Sequence, residues 1–92
     1  IRFGETELKV IPTPGHTPGG VVLFDPKSKS LFTGDTLFRE SIGRTDLPGG
    51  NHTQLIESIR EKLFTLNRDC GVMPGHGGFT TVGHEIDTNP FF

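Results

Sequence analysis

Glycine and proline interrupt this chain so often that long regular elements have almost nowhere to form. There are 13 Gly and 7 Pro among 92 residues, concentrated at Pro12 to Gly20, Gly43 to Gly50 and Pro74 to Gly78. Proline lacks the backbone donor and glycine loses the most entropy on ordering, so both are kept out of element interiors. What remains between the clusters is mostly of strand length. Strands are expected over Glu7–Pro12, Val21–Asp25, Ser30–Thr33 and Cys70–Met73. The polar turn Pro26-Lys27-Ser28-Lys29 makes the second and third a hairpin. Neither of those two runs alternates cleanly with polar residues, which points to burial on both faces inside a layered fold. Arg39–Gly50 reads as a long connector without regular structure, and a connector of that length is more often functional than decorative.

One stretch has a helical period. Leu55, Ile59, Leu63 and Leu66 fall on one stripe, with Glu57, Arg60, Glu61 and Lys62 opposite. Asn51 is placed to cap this helix, with Gln54 three residues on as in a capping box, and Asn67 is a candidate left-handed stop. A second short helix is expected to open at Thr80 or Thr81 and to end before Asn89-Pro90, since a residue preceding proline is driven out of helical geometry. The order strand, strand, strand, helix, strand, helix is that of an α/β chain. No repeat or internal boundary divides it, so residues 1–92 read as one unit.

Charge and composition exclude several classes. Lys and Arg number 9 against 11 Asp and Glu, a net charge of -2, so the broad basic face of a nucleic-acid binder is not expected. The longest apolar run, Val21–Phe24, falls far short of the roughly 18–20 residues a membrane span needs. Cys70 is the single cysteine. It lies in an apolar strand and reads as a core thiol, so no internal disulfide forms and a reducing, cytoplasmic compartment is expected. The chain opens on Ile1 with no signal-type segment, and a domain of this size hides only about 60% of its unfolded surface. A fragment, or a chain whose core is completed by a partner, is therefore expected.

Three polar residues occupy equivalent places. His16 follows the first strand in Pro14-Gly15-His16-Thr17-Pro18-Gly19. Asp35 follows the third in Phe32-Thr33-Gly34-Asp35-Thr36, and His76 follows the fourth in Met73-Pro74-Gly75-His76-Gly77. Each stands directly after a glycine, which allows a sharp turn and clears space beside the side chain. If the strands run side by side in the right sense, all three emerge along one edge of a sheet. Two imidazoles and a carboxylate suit zinc, manganese or iron. The intervals of 19 and 41 residues exclude a zinc-finger knuckle and suit a site assembled by the fold. Taken singly, a histidine in a Gly-Pro loop is more often a turn residue, and an aspartate after glycine a cap or Asx turn. Spacing alone leaves the metal site and the local turn chemistry equally open.

These three motifs resemble the later motifs of the metallo-β-lactamase-fold hydrolases, most closely the glyoxalase II-like (hydroxyacylglutathione hydrolase) branch. Ser41-Ile42-Gly43-Arg44-Thr45-Asp46, the helix from Asn51, Thr80-Thr81-Val82-Gly83 and Asn89-Pro90-Phe91 extend the resemblance over essentially the whole chain, in order and spacing. It implies the C-terminal half of a four-layer αββα sandwich, a mixed sheet with helices on one side. It also implies two divalent metal ions, zinc first and iron or manganese as alternatives. His16 would bind the first, Asp35 would bridge both and His76 would bind the second. The family's His-x-His-x-Asp-His string, which supplies the other ligands, does not occur here, and neither His52 nor His84 occupies a matching position. A missing N-terminal half is implied to carry it. This chain alone is expected to be inactive, and to self-associate through core surface left exposed.

The implied activity of the complete protein is hydrolysis of a thioester, with Asp35 fixing the two cations rather than acting as the base. Arg44 is a candidate for holding the glutathione part of the substrate, and a structural ion pair with Asp46 is the equal alternative. The tyrosines of glutathione-specific members are replaced by Asp46 and Gly78, and no helical extension follows Phe92, which favours the compact branch. Two other functions remain open. One is a mononuclear-iron oxygenase of the same fold, as in persulfide dioxygenases, which share the Gly43-Arg44-Thr45-Asp46 stretch. The other is a non-catalytic fragment.

Overall fold

The computed structural model of the chain describes residues 2–4 and 6–92. Two short strands, β1 (Arg2–Phe3) and β2 (Thr6–Glu7), pair antiparallel at the start. Then β3 (Lys9–Pro12), β4 (Val21–Asp25) and β5 (Ser30–Gly34) form an antiparallel meander. The run expected as one strand over Glu7–Pro12 thus divides, because Glu7 pairs with Arg2 while Lys9–Pro12 pairs with β4. A small hairpin follows, β6 (Leu37–Phe38) with β7 (Ser41–Ile42). Helix α1 (His52–Ser58) then crosses over to β8 (Gly71–Pro74), which lies parallel to β5. Finally β9 (Thr80–Thr81) pairs antiparallel with β8, and helix α2 (Val82–Thr88) closes the chain. The resulting five-stranded mixed sheet has the order β3-β4-β5-β8-β9.

The core lies on one face of this sheet. Val22, Leu31 and Val72 project from adjacent strands and have no exposed surface, and the helices bring Leu55, Ile59, Leu63 and Val82 against them. Each such aliphatic side chain contributes about 1.5–3 kcal/mol on burial. The opposite face is different. Val10, Leu23, Phe32 and Met73 stand in register across four strands, with Val10 47% and Phe32 41% exposed. The strands expected to be covered on both faces are covered on one.

The helix after Asn51 also departs from expectation. Asn51 caps it as expected, its Oδ1 accepting from the Gln54 N–H at 2.9 Å. Beyond Ser58, however, the coil widens to a π turn over Ile59–Leu63, closed by the Phe64 N–H donating to the Ile59 carbonyl at 2.9 Å. The reason lies in the stripe itself. Two successive four-residue steps, Leu55 to Ile59 to Leu63, overrun an α-helix of 3.6 residues per turn, and a wider turn brings all three back onto the buried face. Asn67 is not a left-handed stop. Its side chain accepts from the Asp69 N–H at 2.8 Å and its carbonyl from the Cys70 N–H at 3.0 Å. Cys70 is buried, and burial pushes its thiol above the ordinary 9.0, as expected of a packing residue.

The connector Arg39–Gly50 is not structureless either, since its first part is the turn and second strand of the β6–β7 hairpin. Glu40 turns the hairpin with φ 57. Its backbone N–H, free of any strand partner, donates to the buried Glu85 carboxylate at 2.7 Å.

Candidate metal centre

Strand direction decides where the three polar residues come out. β3 and β5 both run antiparallel to β4, and β8 runs parallel to β5. The chain therefore leaves β3, β5 and β8 at the same edge, where His16, Asp35 and His76 follow. They line one cavity of about 430 Å³, together with Phe38, Ile42, Gly43 and Arg44 among others.

Asp35 stands between the two rings. Its Oδ2 lies 3.8 Å from His16 Nε2 and its Oδ1 lies 3.7 Å from His76 Nε2. His16 Nδ1 is 2.7 Å from the Arg44 carbonyl oxygen. A carbonyl only accepts, so Nδ1 carries the hydrogen and donates, and in the neutral form of the ring the Nε2 lone pair faces the carboxylate. Two electron-rich atoms facing one another at that distance suit a cation between them. This also matches the way metal-bound histidines are oriented by a second hydrogen bond. His76 is the open side of the site, 82% exposed against 23% for His16. Its ring is flanked by Phe38, with centroids 6.2 Å apart. Among the described residues no three His, Cys, Asp or Glu side chains close around a single cation position. The three groups do not by themselves enclose one cation position.

Close backbone approach holds the loops in place. A Cβ on Gly15 would fall 2.3 Å from Leu55 Cβ, and its φ is +141°. The His16 loop therefore sits directly on α1, where the Asn51 N–H donates to the Gly15 carbonyl at 2.7 Å and Ser58 Oγ to the Pro14 carbonyl at 2.9 Å. Gly43 allows the segment after the hairpin to touch Asp35, whose carbonyl oxygen would lie 1.8 Å from an added Cβ. The His76 loop is tied to the Asp35 loop through the Gly75 N–H and the Gly34 carbonyl at 2.9 Å. Buried Thr13 and Thr36 link the first two loops through their hydroxyls at 3.2 Å.

Arg44 turns its guanidinium to Asp46 in a two-pronged pair, Nε to Oδ1 at 2.8 Å and a terminal nitrogen to Oδ2 at 3.0 Å. The structure thus forms the ion pair weighed as the alternative to a substrate contact, although Arg44 also lines the cavity. The hydrogen bonds from Arg44 hold the Asp46 carboxyl below its ordinary 3.8. A depressed carboxylate pKa gives stability that is present above the unfolded value and lost as pH falls through the folded one. Both groups are exposed, so the effect on global stability is expected to be small. Arg44→Gln should return the Asp46 pKa toward 3.8, as read by NMR titration of its carboxyl carbon.

His52 and His84 lie outside the cavity. His52 packs its ring near Phe91 at 6.5 Å, and the His84 backbone N–H donates to the Thr81 cap. Two residues at the site's margins escape the sequence reading. Phe38 lies between the third expected strand and the connector, where no motif marks it, and only the hairpin brings its ring beside His76. Glu85 is fully buried, and a signal for it does exist. Glu85 stands three residues after Val82 on the buried stripe of α2, and Asn89 follows four residues on, at the C-cap.

Comparison with known proteins places the chain in a family. The profile of the metallo-beta-lactamase superfamily matches residues 1–78. A probable metallo-hydrolase of Streptococcus pyogenes is 54% identical over 86 residues, covering 94% of this chain and 37% of that protein. Hydroxyacylglutathione hydrolase GloC of Haemophilus influenzae is 48% identical over 91 residues, covering 99% and 43%. Among solved structures, the BLEG-1 B3 metallo-beta-lactamase superposes with a TM-score of 0.95 at 48% identity, covering 99% of this chain and 44% of its own. TTHA1623 in a di-iron-bound form gives 0.90 at 43%, covering 100% and 45%. ETHE1 from Myxococcus xanthus gives 0.92 at 36%, covering 98% and 41%. The chain belongs to the metallo-beta-lactamase superfamily, a fold that binds divalent metals, and its relatives include metallo-hydrolases. It spans less than half the length of the relatives it matches.

Proposed function

We propose that residues 1–92 form the C-terminal half of a metal-dependent hydrolase of thioesters such as hydroxyacylglutathione, and that His16, Asp35 and His76 contribute to a two-cation centre. The observation that carries this reading is the Asp35 carboxylate between two imidazoles, one oxygen turned to each Nε2 at 3.7 and 3.8 Å. His16 would hold one cation, His76 the other and Asp35 both. Imidazole and carboxylate ligands suit zinc, iron and manganese, and zinc is the choice for a reaction without electron transfer. A bound pair supplies a water of lowered pKa and a Lewis acid for the acyl carbonyl. Asp35 fixes the two positions and does not serve as the proton acceptor. The Arg44 carbonyl keeps the His16 ring in the orientation that frees Nε2, and Arg44 itself, at the cavity wall, is the candidate contact for the substrate's acidic part. Departure of a thiolate is easy, since a free thiol has a pKa of about 8.5. The likeness to the Haemophilus enzyme supports the thioester class.

The other ligands, in a His-x-His-x-Asp-His string, would come from polypeptide upstream, which would also cover the row Val10, Leu23, Phe32 and Met73. Left uncovered, that row should drive self-association. No described helix is long and apolar enough to cross a membrane, and the proposed location is the cytoplasm.

The test is reconstitution. Alone, this chain should show negligible thioester turnover. Joined to the upstream segment, it should bind two cations and hydrolyse the thioester, and His76→Ala should abolish that gain. Turnover by the 92-residue chain alone, sensitive to His76→Ala, would overturn the proposal. The persulfide dioxygenase reading would have its own signature in the same assay, one iron and consumption of oxygen. The carboxylate set between two rings favours two cations. A reunited protein that binds cations but transforms neither substrate would leave the scaffold reading.

A further inference from the structure

We infer that Glu85 is a positioning residue for the centre, a buried carboxylate that fastens the two walls of the cavity to one another. The inference rests on the proposal that this cavity is where the reaction occurs. Glu85 has no exposed surface and does not line the cavity. Its Oε1 accepts from the Glu40 N–H at 2.7 Å and from Asn89 Nδ2 at 2.9 Å, and its Oε2 accepts from Thr80 Oγ1 at 2.7 Å. Asn89 Nδ2 also donates to the Ser41 carbonyl at 3.0 Å.

The donors belong to different walls. Glu40 is at the tip of the β6–β7 hairpin, which carries Phe38 and Ile42 and leads into Gly43 and Arg44. Thr80 begins β9, where the loop bearing His76 returns to the sheet. A buried carboxylate costs far more than a buried leucine unless its oxygens are fully paired, and here three donors from separate elements pair them. One side chain therefore sets the spacing between the hairpin and the His76 loop. One contact depends on that spacing, the Phe38 ring beside His76.

The inference is tested in the intact protein with Glu85→Gln, Glu85→Leu and Thr80→Val. The readouts are hydrogen exchange at the Glu40 amide and the nuclear Overhauser contact between the Phe38 and His76 rings. In Glu85→Gln the new side chain keeps one oxygen for Glu40 and Asn89, and its amide can donate to the Thr80 hydroxyl, so this variant should resemble the wild type in both. Glu85→Leu keeps the volume and removes every acceptor. It should speed Glu40 exchange by about tenfold or more and weaken the ring contact. Thr80→Val cuts one tie and should fold without difficulty. It should leave Glu40 protected while weakening the ring contact. A folded Glu85→Leu protein with unchanged exchange and ring contact would overturn the inference. If Glu85→Leu fails to fold, an unchanged ring contact in Thr80→Val overturns it instead. Neither readout requires turnover, so the positioning role and the thioester reading can fail separately.

Discussion

Asp35→Asn in the intact protein is expected to lower thioester kcat/KM on the order of a thousandfold and to reduce the bound cations from two to one or none. The substitution changes almost no volume, so the loss would be chemical. Both oxygens of the carboxylate are engaged, one facing His16 at 3.8 Å and one facing His76 at 3.7 Å. An asparagine keeps one acceptor and turns an NH₂ toward the other ring, where it repels a cation. Asp35 is 52% exposed, so the core should be untouched and the melting temperature nearly unchanged. Metal analysis and steady-state kinetics on one preparation decide the matter. His52→Ala, outside the cavity, is the control and should keep both cations. An asparagine variant with two cations and normal kinetics would show that Asp35 does not bridge.

What the sequence made legible is the set of strands bounded by strong punctuation. Pro26 to Lys29 marks the turn between β4 and β5, and Pro74-Gly75 closes β8, because the backbone restrictions of these residues act locally. The positions of His16, Asp35 and His76 after strand ends were legible for the same reason. That they share one edge was not, since it depends on β8 pairing parallel to β5 across a helical connection, a long-range choice that no local window contains. The family resemblance supplied that topology, and the register shows it.

The misread elements have a common cause. The β6–β7 hairpin is only two residues per strand, too short for a period, and the partner that holds its turn is Glu85, 45 residues away. The π turn was hidden because Leu55, Ile59 and Leu63 satisfy an amphipathic pattern whether the helix drifts or widens. The split of Glu7–Pro12 turns on which neighbour each residue pairs with, while its composition favours a strand throughout. In each case tertiary partners overrode a local preference that was itself ambiguous.

The second large effect is expected at Gly43. Gly43→Ala should destabilise the protein by about 3 kcal/mol or more and should also impair cation binding. An added Cβ would lie 1.8 Å from the Asp35 carbonyl oxygen and 3.4 Å from His16 Cβ. The first neighbour is backbone and cannot rotate aside, so the segment after β7 must retreat from the Asp35 loop. That retreat stretches the Gly43 N–H bond to the Thr36 carbonyl, 3.1 Å in the native chain, and draws away the Arg44 carbonyl that orients His16. One methyl group is therefore expected to disturb Asp35 and His16 at once. Gly19→Ala provides the comparison, because nothing lies within 4 Å of its added Cβ and no positive φ opposes it. It should be neutral or stabilising by about 0.4–1 kcal/mol through the unfolded chain. Denaturant melts and metal titrations of both variants separate the cases. A Gly43→Ala protein as stable as Gly19→Ala, with unaltered cation affinity, would mean that the hairpin does not press on the Asp35 loop.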